Sequence, residues 1–515
     1  MPEIKASDEI RLDFQENSKG HPKGLYVLFA TEMWERFNYY GMRAILVLFM
    51  TKALLFDKAF ASNLYGSYTG LVYLTPLIGG YIADRYWGNK RSIIVGGILM
   101  AIGEFFLFFC GTFYNSSESL SSLLFFSGLG FMIAGNGFFK PNISSLVGQL
   151  YHKKDRRIDA AYTIFYMGIN VGGALGPLLC GLVGDTGNPA DFKWAFLVAG
   201  IGMLLSVVVQ LLFHNKYVLE PGTKKVLGLT PVNSPKKATH PALVVGGLLL
   251  FSFVTIGLLY VDAKIFSYLF YLLIASIVLI AFIIFTDKSL SGNEKSKVAV
   301  IFVVSFFVIF FWSAFEQAGA SLTFFAEEQT QRQLGSFLVP SSFFQSLNSI
   351  FVVLFAPLFA WLWLRLRKRE PSSPTKMALG LFLLAVGYLW IAFGVKDVAP
   401  GIKVSMIWLT GMYALHTWGE LCLSPIGLSL VNKLAPLKFA SLLMAVWFTA
   451  NAFANKLAGV LSALYPENGK TTSFLGYEMN SLFEFFMLFV FMAGIASLIL
   501  FFLSKKLQKM MNVGD

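Results

Sequence analysis

The chain has 515 residues, of which 56% are apolar and only 14% are charged, and its mean hydropathy is +0.65. A soluble domain carries roughly 25% charged residues, so this composition excludes an ordinary soluble enzyme, a disordered chain, a collagen and a disulfide scaffold. The formal net charge of +12 is typical of a membrane protein with basic loops on one side. The composition therefore indicates a polytopic membrane protein.

Apolar runs of about 20 residues, the length that crosses a bilayer, recur along the chain. They predict fourteen spans, at 24–50, 60–84, 92–113, 119–148, 158–184, 193–214, 240–260, 265–286, 298–326, 341–364, 376–395, 402–432, 438–464 and 477–504. Apart from tyrosines, the interiors of the seventh and eighth spans hold no ionisable side chain, so nothing in them suits a polar substrate. We predict that these two spans form a hairpin outside a core of six plus six helices, a plan that many transporters share.

The predicted fold class is an all-α polytopic membrane protein with two bundles of six helices and one inserted hairpin. Its predicted segments are an N-terminal cytoplasmic tail (1–23), a first six-helix bundle (24–214), a cytoplasmic linker (215–239), the hairpin (240–286), a second six-helix bundle (298–504) and a C-terminal cytoplasmic tail (505–515).

The distribution of lysine and arginine predicts the orientation of the chain. If both ends are cytoplasmic, 29 of the 41 basic residues fall in inner segments, 8 in outer loops and 4 inside spans. Short cytoplasmic loops carry the excess of positive residues in membrane proteins. We therefore predict that both termini are cytoplasmic. The three cysteines lie in apolar runs and imply no disulfide framework.

A turn motif between the second and third spans reads Gly80-x-x-x-Asp84-Arg85-x-x-Gly88-x-x-Arg91. Its glycines permit tight packing, and its charges suit neighbouring helix ends, whose dipoles attract them. The motif resembles the loop motif of the major facilitator superfamily, although no clear copy follows in the second half of the chain.

Charged side chains inside the spans are the strongest functional candidates, because each costs at least about 2.5–3.5 kcal/mol on insertion scales. Six polar residues of the first span fall within an arc of about 140° at 100° per residue. They are Glu32, Glu35, Arg36, Tyr39, Tyr40 and Arg43. A single ion pair could serve only to hold two helices together. Six polar groups on one face of a helix instead indicate a functional site.

Other spans add polar residues near the predicted midplane. Charged ones are Lys140, which precedes Pro141, together with Glu316 and Glu420, and uncharged ones are Tyr73, Asn170 and Asn348. Glu104, Lys456 and Glu484 are each alone on a span. We interpret Glu484 and Lys456 as helix-end residues whose charged groups reach the interface, and the sequence assigns no place to Glu104.

The cluster of four glutamates, two arginines and one lysine carries a net charge of −1. A dry cavity with unbalanced charge is expected to take up a proton, because burial disfavours an ionised carboxylate. A zwitterionic substrate adds no net charge, so one proton completes neutrality. The residues therefore predict proton coupling, without identifying the group that holds the proton.

Three motifs carry a family resemblance that covers nearly the whole chain. They are Glu32-x-x-Glu35-Arg36-Phe37-x-Tyr39-Tyr40-Gly41, Phe165-Tyr166-Met-Gly-Ile-Asn170-Val-Gly172 and Gly419-Glu420-Leu-Cys-Leu-Ser424-Pro425. On these residues the chain resembles the bacterial members of the proton-coupled oligopeptide transporter family, within the major facilitator superfamily. It departs from some members at Gly66, which follows an aromatic residue where they carry a histidine, and at Gly173-Ala174, where they carry Ser-Leu.

The resemblance implies a major-facilitator fold and import of di- and tripeptides, driven by protons, across the bacterial cytoplasmic (inner) membrane. It implies that the chain works as a monomer in the lipid bilayer, with the proton as coupling ion. It implies no cofactor, no metal, no nucleic acid and no enzymatic activity. Neither a nucleotide loop, a metal-ligand spacing nor a Ser/His/Asp set is evident in the sequence.

The resemblance also assigns roles to residues. Proton coupling falls to Glu32, Glu35, Arg36 and Glu316. Two ion pairs, Arg43–Glu316 and Lys140–Glu420, close the outer gate between the bundles. Peptide binding falls to Tyr39, Tyr40, Arg43, Tyr73, Lys140, Asn170, Trp312, Glu316, Asn348, Glu420, Ser424 and Trp447.

Several alternatives remain open at this stage. A relative of the same fold could carry nitrate, an amino acid or a drug-like peptide mimic instead. A non-transporting peptide sensor and a channel are different classes, and a membrane enzyme is more distant. Saturable uphill uptake distinguishes a symporter from a channel, and peptide-dependent proton flux distinguishes it from a sensor.

Overall fold

The structure is a computed structural model that describes residues 20–152, 155–230, 241–260, 263–399, 401–467 and 470–512. The predicted N-terminal tail up to residue 19 and residues 231–239 of the predicted linker therefore lie outside the described residues. We call the side where α1 ends the outer side and the side where α1 begins the inner side, following the predicted orientation.

The first half of the chain contains seven α-helices in the described residues. They are α1 (Lys23–Lys52), α2 (Lys58–Leu74), α3 (Pro76–Ile82), α4 (Asn89–Phe113), α5 (Glu118–Gln149), α6 (Ile158–Gly184) and α7 (Phe192–Tyr217). Helices α2 and α3 together make one crossing. They meet at Thr75, directly before Pro76, and a π-turn follows at Ala83–Trp87. The predicted span at 60–84 is thus broken near its middle, because proline lacks the N–H that continues a helix.

The hairpin and the second half follow. They comprise α8 (Pro241–Tyr260), α9 (Ala263–Thr286), α10 (Gly292–Phe315), α11 (Ser321–Glu328), α12 (Ser346–Leu366), α13 (Ser373–Val395), α14 (Met406–Leu434), α15 (Ala440–Ser462) and α16 (Leu482–Met511). A 3-10 turn at Glu316–Gly319 separates α10 from α11, so the predicted span at 298–326 is also broken. Another 3-10 turn, Ser341–Gln345, leads into α12.

Short strands form pairs in the outer loops of the second half. The sequence pattern did not predict these strands. They are β1 (Thr330–Gln331), β2 (Gln333–Leu334), β3 (Phe337–Leu338), β4 (Val404–Ser405), β5 (Thr472–Phe474) and β6 (Tyr477–Met479). β1 pairs with β4 in parallel, whereas β2–β3 and β5–β6 are antiparallel hairpins.

Several helix starts follow local capping rules. Ser291 and Ser481 form capping boxes with Glu294 and Glu484, in which each side chain bonds the other residue's backbone N–H. The predicted helix-end position of Glu484 is therefore confirmed. Lys456 is not at a helix end: it lies within α15, and its Nζ donates to Ser67 Oγ at 2.9 Å.

The hairpin lies against both halves at the side of the core. Its first helix meets the first half, where Ile256 fits against Gly130 of α5. Its second helix meets the second half, where the Phe270 and Phe453 rings have centroids 3.9 Å apart. The predicted arrangement, a hairpin outside a core of two bundles, is confirmed.

Among the described residues, eight helices are long and apolar enough to cross a membrane by length and composition. The 30-residue helix α1 is also long enough, but it carries the buried charges of the candidate site. The chain is therefore a multi-pass membrane protein whose first helix places charge inside the bundle.

Candidate functional site

The first part of the site is a charge cluster on α1. Arg36 Nε lies 2.7 Å from Glu32 Oε1 and 2.9 Å from Glu35 Oε2. All three side chains are at most 3% exposed. The helical spacing brings them together, because residues three and four apart occupy neighbouring positions on one face. We call Glu32, Glu35 and Arg36 the α1 cluster.

Neighbouring helices hold the α1 cluster in place. Asn136 of α5 donates its Nδ2 hydrogen to Glu35 Oε1 at 3.2 Å. Gly172 of α6 lies directly against α1, where any side chain would overlap the backbone at Met33. A small residue is therefore needed for α6 to approach the cluster so closely.

The second part is an ion pair between the two halves. Arg43 Nη2 lies 2.7 Å from Glu316 Oε2, and both side chains are buried. Glu316 begins the 3-10 turn that interrupts the ninth span, so its carboxylate projects from an irregular backbone into the bundle. The rings of Tyr40 and Tyr65 lie 5.6 and 5.9 Å from the Arg43 guanidinium. The structure thus contains the predicted Arg43–Glu316 pair.

The predicted Lys140–Glu420 ion pair is not formed in this structure. Lys140 Nζ lies over the Tyr73 ring, 4.4 Å from its centroid. Glu420 Oε2 instead accepts a hydrogen bond from Asn348 Nδ2 at 2.8 Å. The expectation that this pair closes the outer gate here is therefore wrong. The physical reason is that Glu420 bonds within its own half, while Lys140 faces an aromatic ring of the first half.

A cavity lies between the two halves, next to the Arg43–Glu316 pair. Its lining is Tyr40, Arg43, Tyr73, Trp312, Phe315, Glu316, Ala318, Gln345, Asn348, Ser349, Tyr413, His416 and Glu420. Seven of the predicted binding residues meet there: Tyr40, Arg43, Tyr73, Trp312, Glu316, Asn348 and Glu420. The cavity therefore brings a guanidinium of the first half and a carboxylate of the second half to one place.

The sequence reasoning missed several lining residues of the second half. Tyr413 and His416 lie on α14, seven and four residues before Glu420, so helical periodicity from Glu420 would have found them. His416 is 3% exposed, and its ring packs 4.7 Å from that of Tyr388. Phe315 and Gln345 border the two 3-10 turns, which no helical pattern could predict.

Other predicted binding residues are not part of the cavity lining. Tyr39 is buried, with its ring 5.2 Å from that of Tyr40. Asn170 donates to the Tyr166 carbonyl one turn earlier on α6. Lys140 lies behind Tyr73, which does line the cavity.

Two predicted residues of the second half also lie apart from the lining. Ser424 follows Glu420 by one turn of α14. Trp447 is buried on α15, where its ring fills the space beside Gly427. Neither contributes to the cavity wall in this structure.

A further buried carboxylate lies within the first half. Glu104 of α4 is fully buried, and its Oε1 accepts a hydrogen bond from Asn38 Nδ2 at 2.8 Å. The same Asn38 amide also donates to the Ala199 carbonyl at 3.1 Å. Asn38 thus ties α1 to Glu104 of α4 and to α7, away from the α1 cluster.

Further contacts join the two halves on the outer side. Lys52 pairs with Glu327, and Lys58 Nζ lies 2.6 Å from Glu328 Oε1. On the inner side the helices α3 and α15 instead border an open space. The halves are thus closed on the outer side and apart on the inner side along this face.

No group of three or more His, Cys, Asp or Glu residues suited to a metal ion occurs within the described ranges. The carboxylates of the site are instead paired with arginines or hydrogen-bonded to amides. The chemistry that this arrangement supports is the binding of a solute that carries both charges, since opposite charges face the cavity from opposite halves.

Comparisons with known proteins agree with this architecture. A profile of the POT family matches residues 90–475. The "Uncharacterized transporter YclF" of Bacillus subtilis (strain 168) is 37% identical over 88% of this chain and 90% of its own length. The "Di-/tripeptide transporter" of Lactococcus lactis subsp. lactis (strain IL1403) is 34% identical over 87% and 90%. A crystal structure of a mutant peptide transporter POT in complex with alafosfalin is similar, with a TM-score of 0.80, 32% identity and 96% of each chain covered.

The fold and the site define a multi-pass membrane protein with a solute cavity between two helical halves. The matches cover most of the chain and exceed 30% identity over nearly its full length. The chain therefore belongs to the POT family, a family of transporters.

Proposed function

We propose that the chain is a proton-coupled symporter that imports di- and tripeptides by alternating access. The observation that carries this proposal is the cavity between the halves, which Arg43 of the first half and Glu420 of the second half both line. A peptide offers one carboxylate, one ammonium and variable side chains. Fixed opposite charges suit its two ends, and the aromatic walls tolerate different side chains.

The peptide termini have distinct partners in this proposal. The peptide carboxylate binds Arg43, with Lys140 nearby behind Tyr73, and the peptide ammonium binds Glu420. Because Arg43 already pairs with Glu316 at 2.7 Å, an arriving carboxylate competes with Glu316 for the guanidinium. Peptide binding is thereby coupled to the contact between the halves.

The proton site of the proposal is the α1 cluster together with Glu316. The cluster has two carboxylates for one guanidinium, so it carries a net charge of −1 when both are ionised. One proton makes it neutral. An unbalanced buried charge is unfavourable, so the ionised cluster favours binding of a proton. The bound proton removes a negative charge close to Tyr40 and Arg43 on the same helix.

The direction of transport follows from the proposed orientation. The excess of lysine and arginine supports cytoplasmic termini and a cytoplasmic inner side. The similarity to bacterial transporters supports a bacterial inner membrane. The cavity in this structure is then closed toward the outside. One proton that enters down 100 mV supplies about 2.3 kcal/mol. At one proton per peptide, this corresponds to about 50-fold accumulation.

We also propose that the functional unit is a single chain. Two rocking bundles, at 24–214 and 298–504, surround one cavity, so a single chain in the lipid bilayer suffices for transport. The hairpin at 240–286 lies at the side of the two bundles. The proton is the only coupling ion in this scheme, and the chain holds no cofactor and performs no enzymatic reaction.

The test is uptake of labelled dialanine by liposomes that contain the purified protein, with and without an inward proton gradient. We expect saturable uptake that exceeds equilibrium only with the gradient. Uptake at the same level with and without the proton gradient would indicate a uniporter or an exchanger. Binding of dialanine without any uptake would indicate a sensor, and neither binding nor uptake would indicate a different solute.

A further inference from the structure

A single carboxylate of the first half caps a helix of the second half on the outer side. Asp185 follows the last residue of α6, and it is 7% exposed. Its Oδ2 accepts hydrogen bonds from Ser341 Oγ at 2.9 Å, from the Ser342 backbone N–H at 3.0 Å and from Ser342 Oγ at 3.1 Å. Ser341 and Ser342 begin the 3-10 turn that leads into α12. We call this set of three hydrogen bonds the outer latch.

The turn depends on Asp185 because the residue directly before the turn supplies no side-chain cap. The residue before the turn is Pro340, which makes no side-chain hydrogen bond to the turn. The first backbone N–H groups of a helix lack partners inside the helix, and a carboxylate is a preferred acceptor for them. Here that acceptor comes from the other half of the protein, 156 residues before Ser341 in the chain.

The same turn has a second tie to the first half. Gln345 donates its Nε2 hydrogen to the Ala44 carbonyl of α1 at 3.3 Å and to Thr323 Oγ1 at 2.9 Å. Gly181, one turn before Asp185, lies so close to Ser342 that any side chain there would overlap the serine hydroxyl. The turn is thus held between α6 and α1, directly beside the cavity that Gln345 lines.

Glu327 and Lys52 are the charged groups whose fields act on Asp185. Glu327 at the end of α11 pairs with Lys52 at the end of α1 and with Arg332, and its carboxylate also accepts a hydrogen bond from the Ser341 side chain. Asp191, before α7, accepts a hydrogen bond from Thr186. The turn itself brings no charge. Asp185 therefore acts through hydrogen bonds to the turn, and burial raises the pKa of its carboxyl above the usual value.

We propose that Asp185 is a positioning residue of the outer gate, which holds the second half closed by capping the turn that begins α12. When the outer side opens, α6 and α12 must separate and the cap is lost. The latch therefore favours the state in which the outer side is closed. This inference rests on the proposed alternating access, but its test requires neither a peptide nor a proton gradient.

The test uses the full chain in lipid nanodiscs with spin labels at two exposed outer serines, Ser116 of the first half and Ser473 of the second half. The native cysteines are buried. The distance distribution between the labels reports the fraction of molecules that are open on the outer side. We expect Asp185→Ala to raise the ratio of open to closed molecules about tenfold, in line with the loss of a helix cap. Asp185→Asn keeps the distribution, because an asparagine oxygen caps equally well.

Asp57→Ala is the matched control. Asp57 is an exposed carboxylate on the same side, and it accepts a hydrogen bond from the Phe60 backbone N–H at the start of α2. Its cap lies within one half, so its loss leaves the ratio unchanged. A similar ratio in wild type and Asp185→Ala, or an equal shift in Asp57→Ala, would overturn the inference. If Asp185→Ala does not fold, the double variant Ser341→Ala/Ser342→Ala is used, and an unchanged ratio there would overturn it as well.

Discussion

The α1 cluster and the Arg43–Glu316 pair are both built from arginine and glutamate side chains, but they are placed differently. In the cluster, all three charged groups belong to one helix, so their distances of 2.7 and 2.9 Å survive any movement of the halves. The Arg43–Glu316 pair, at 2.7 Å, joins one half to the other. It must break whenever the outer side opens. The two sites contain the same types of residue, so they differ in where those residues lie. The cluster is contained in one helix, whereas the ion pair forms or breaks as the two halves move.

The largest effect is expected at the pair between the halves. Arg43→Ala leaves Glu316 buried without its guanidinium, and breaking a buried pair in this way costs about 3–5 kcal/mol. We expect dialanine uptake driven by a proton gradient to fall about 100-fold or more. Arg43→Lys keeps a positive charge, so it retains more uptake than Arg43→Ala. Equal uptake by Arg43→Ala and wild type would contradict a role for the pair.

The α1 cluster is tested by Glu35→Gln, which keeps the shape of the side chain and removes its titration. We expect accumulation above equilibrium to be lost, whereas exchange of labelled for unlabelled dialanine across the membrane continues. Glu104→Gln is the matched control, since Glu104 is an equally buried glutamate of the same half that bonds only an amide. If both variants lose accumulation alike, the cluster has no special part in coupling.

Substitution of Glu420 tests whether this carboxylate binds the ammonium group of the peptide. Glu420→Gln keeps a hydrogen-bond acceptor for Asn348 but removes the charge that binds the peptide ammonium. We expect the Kd of dialanine to rise about tenfold, because a charge-assisted hydrogen bond contributes about 1.5–3 kcal/mol. N-acetyl-dialanine, which has no ammonium, serves as the control ligand in the same binding assay. An equal loss for both ligands would show that Glu420 does not bind the amine.

The outer latch predicts a smaller, pH-dependent effect. The pKa of Asp185 is raised in the closed state by burial, so the closed state binds this proton more strongly than an open, solvated state. Closure is therefore favoured as the pH falls through the raised pKa and loses this contribution at higher pH. The spin-label distances should shift with pH less in Asp185→Asn than in wild type. Identical pH profiles would exclude Asp185 as the titrating group.

The smallest effect is expected at a surface pair between the halves. Lys58 and Glu328 are 2.6 Å apart, but their side chains are 22% and 36% exposed. Exposed pairs contribute about 0–1 kcal/mol. Lys58→Gln should therefore change initial uptake rates less than threefold. A loss as large as that of Arg43→Ala would mean that burial does not separate the two pairs.

The sequence predicted the α1 cluster because helical periodicity alone places residues three and four apart on one face. It also predicted the six-plus-six core and the hairpin from the spans. The Lys140–Glu420 pair could not be predicted from periodicity, since the two residues lie on different halves and Asn348 competes for Glu420. Tyr413 and His416 were missed because neutral side chains do not stand out in an apolar helix.

The breaks in the helices explain the rest of what sequence reasoning missed. Glu316 and Gln345 reach the cavity from 3-10 turns, where the periodicity of an α-helix no longer applies. The outer latch joins Asp185 to a turn far along the chain, and only the packing of the two halves brings them together. Contacts between distant elements leave no local pattern.

The most direct test of the central claim is peptide-driven proton movement. Liposomes that contain the protein and a trapped pH-sensitive dye receive an inward gradient of dialanine, with no pH gradient and with the membrane potential clamped at zero. The account predicts that the interior acidifies in wild type, that it does so in Glu104→Gln, and that it does not in Glu35→Gln. Dialanine entry without any acidification in wild type would contradict proton-coupled peptide symport.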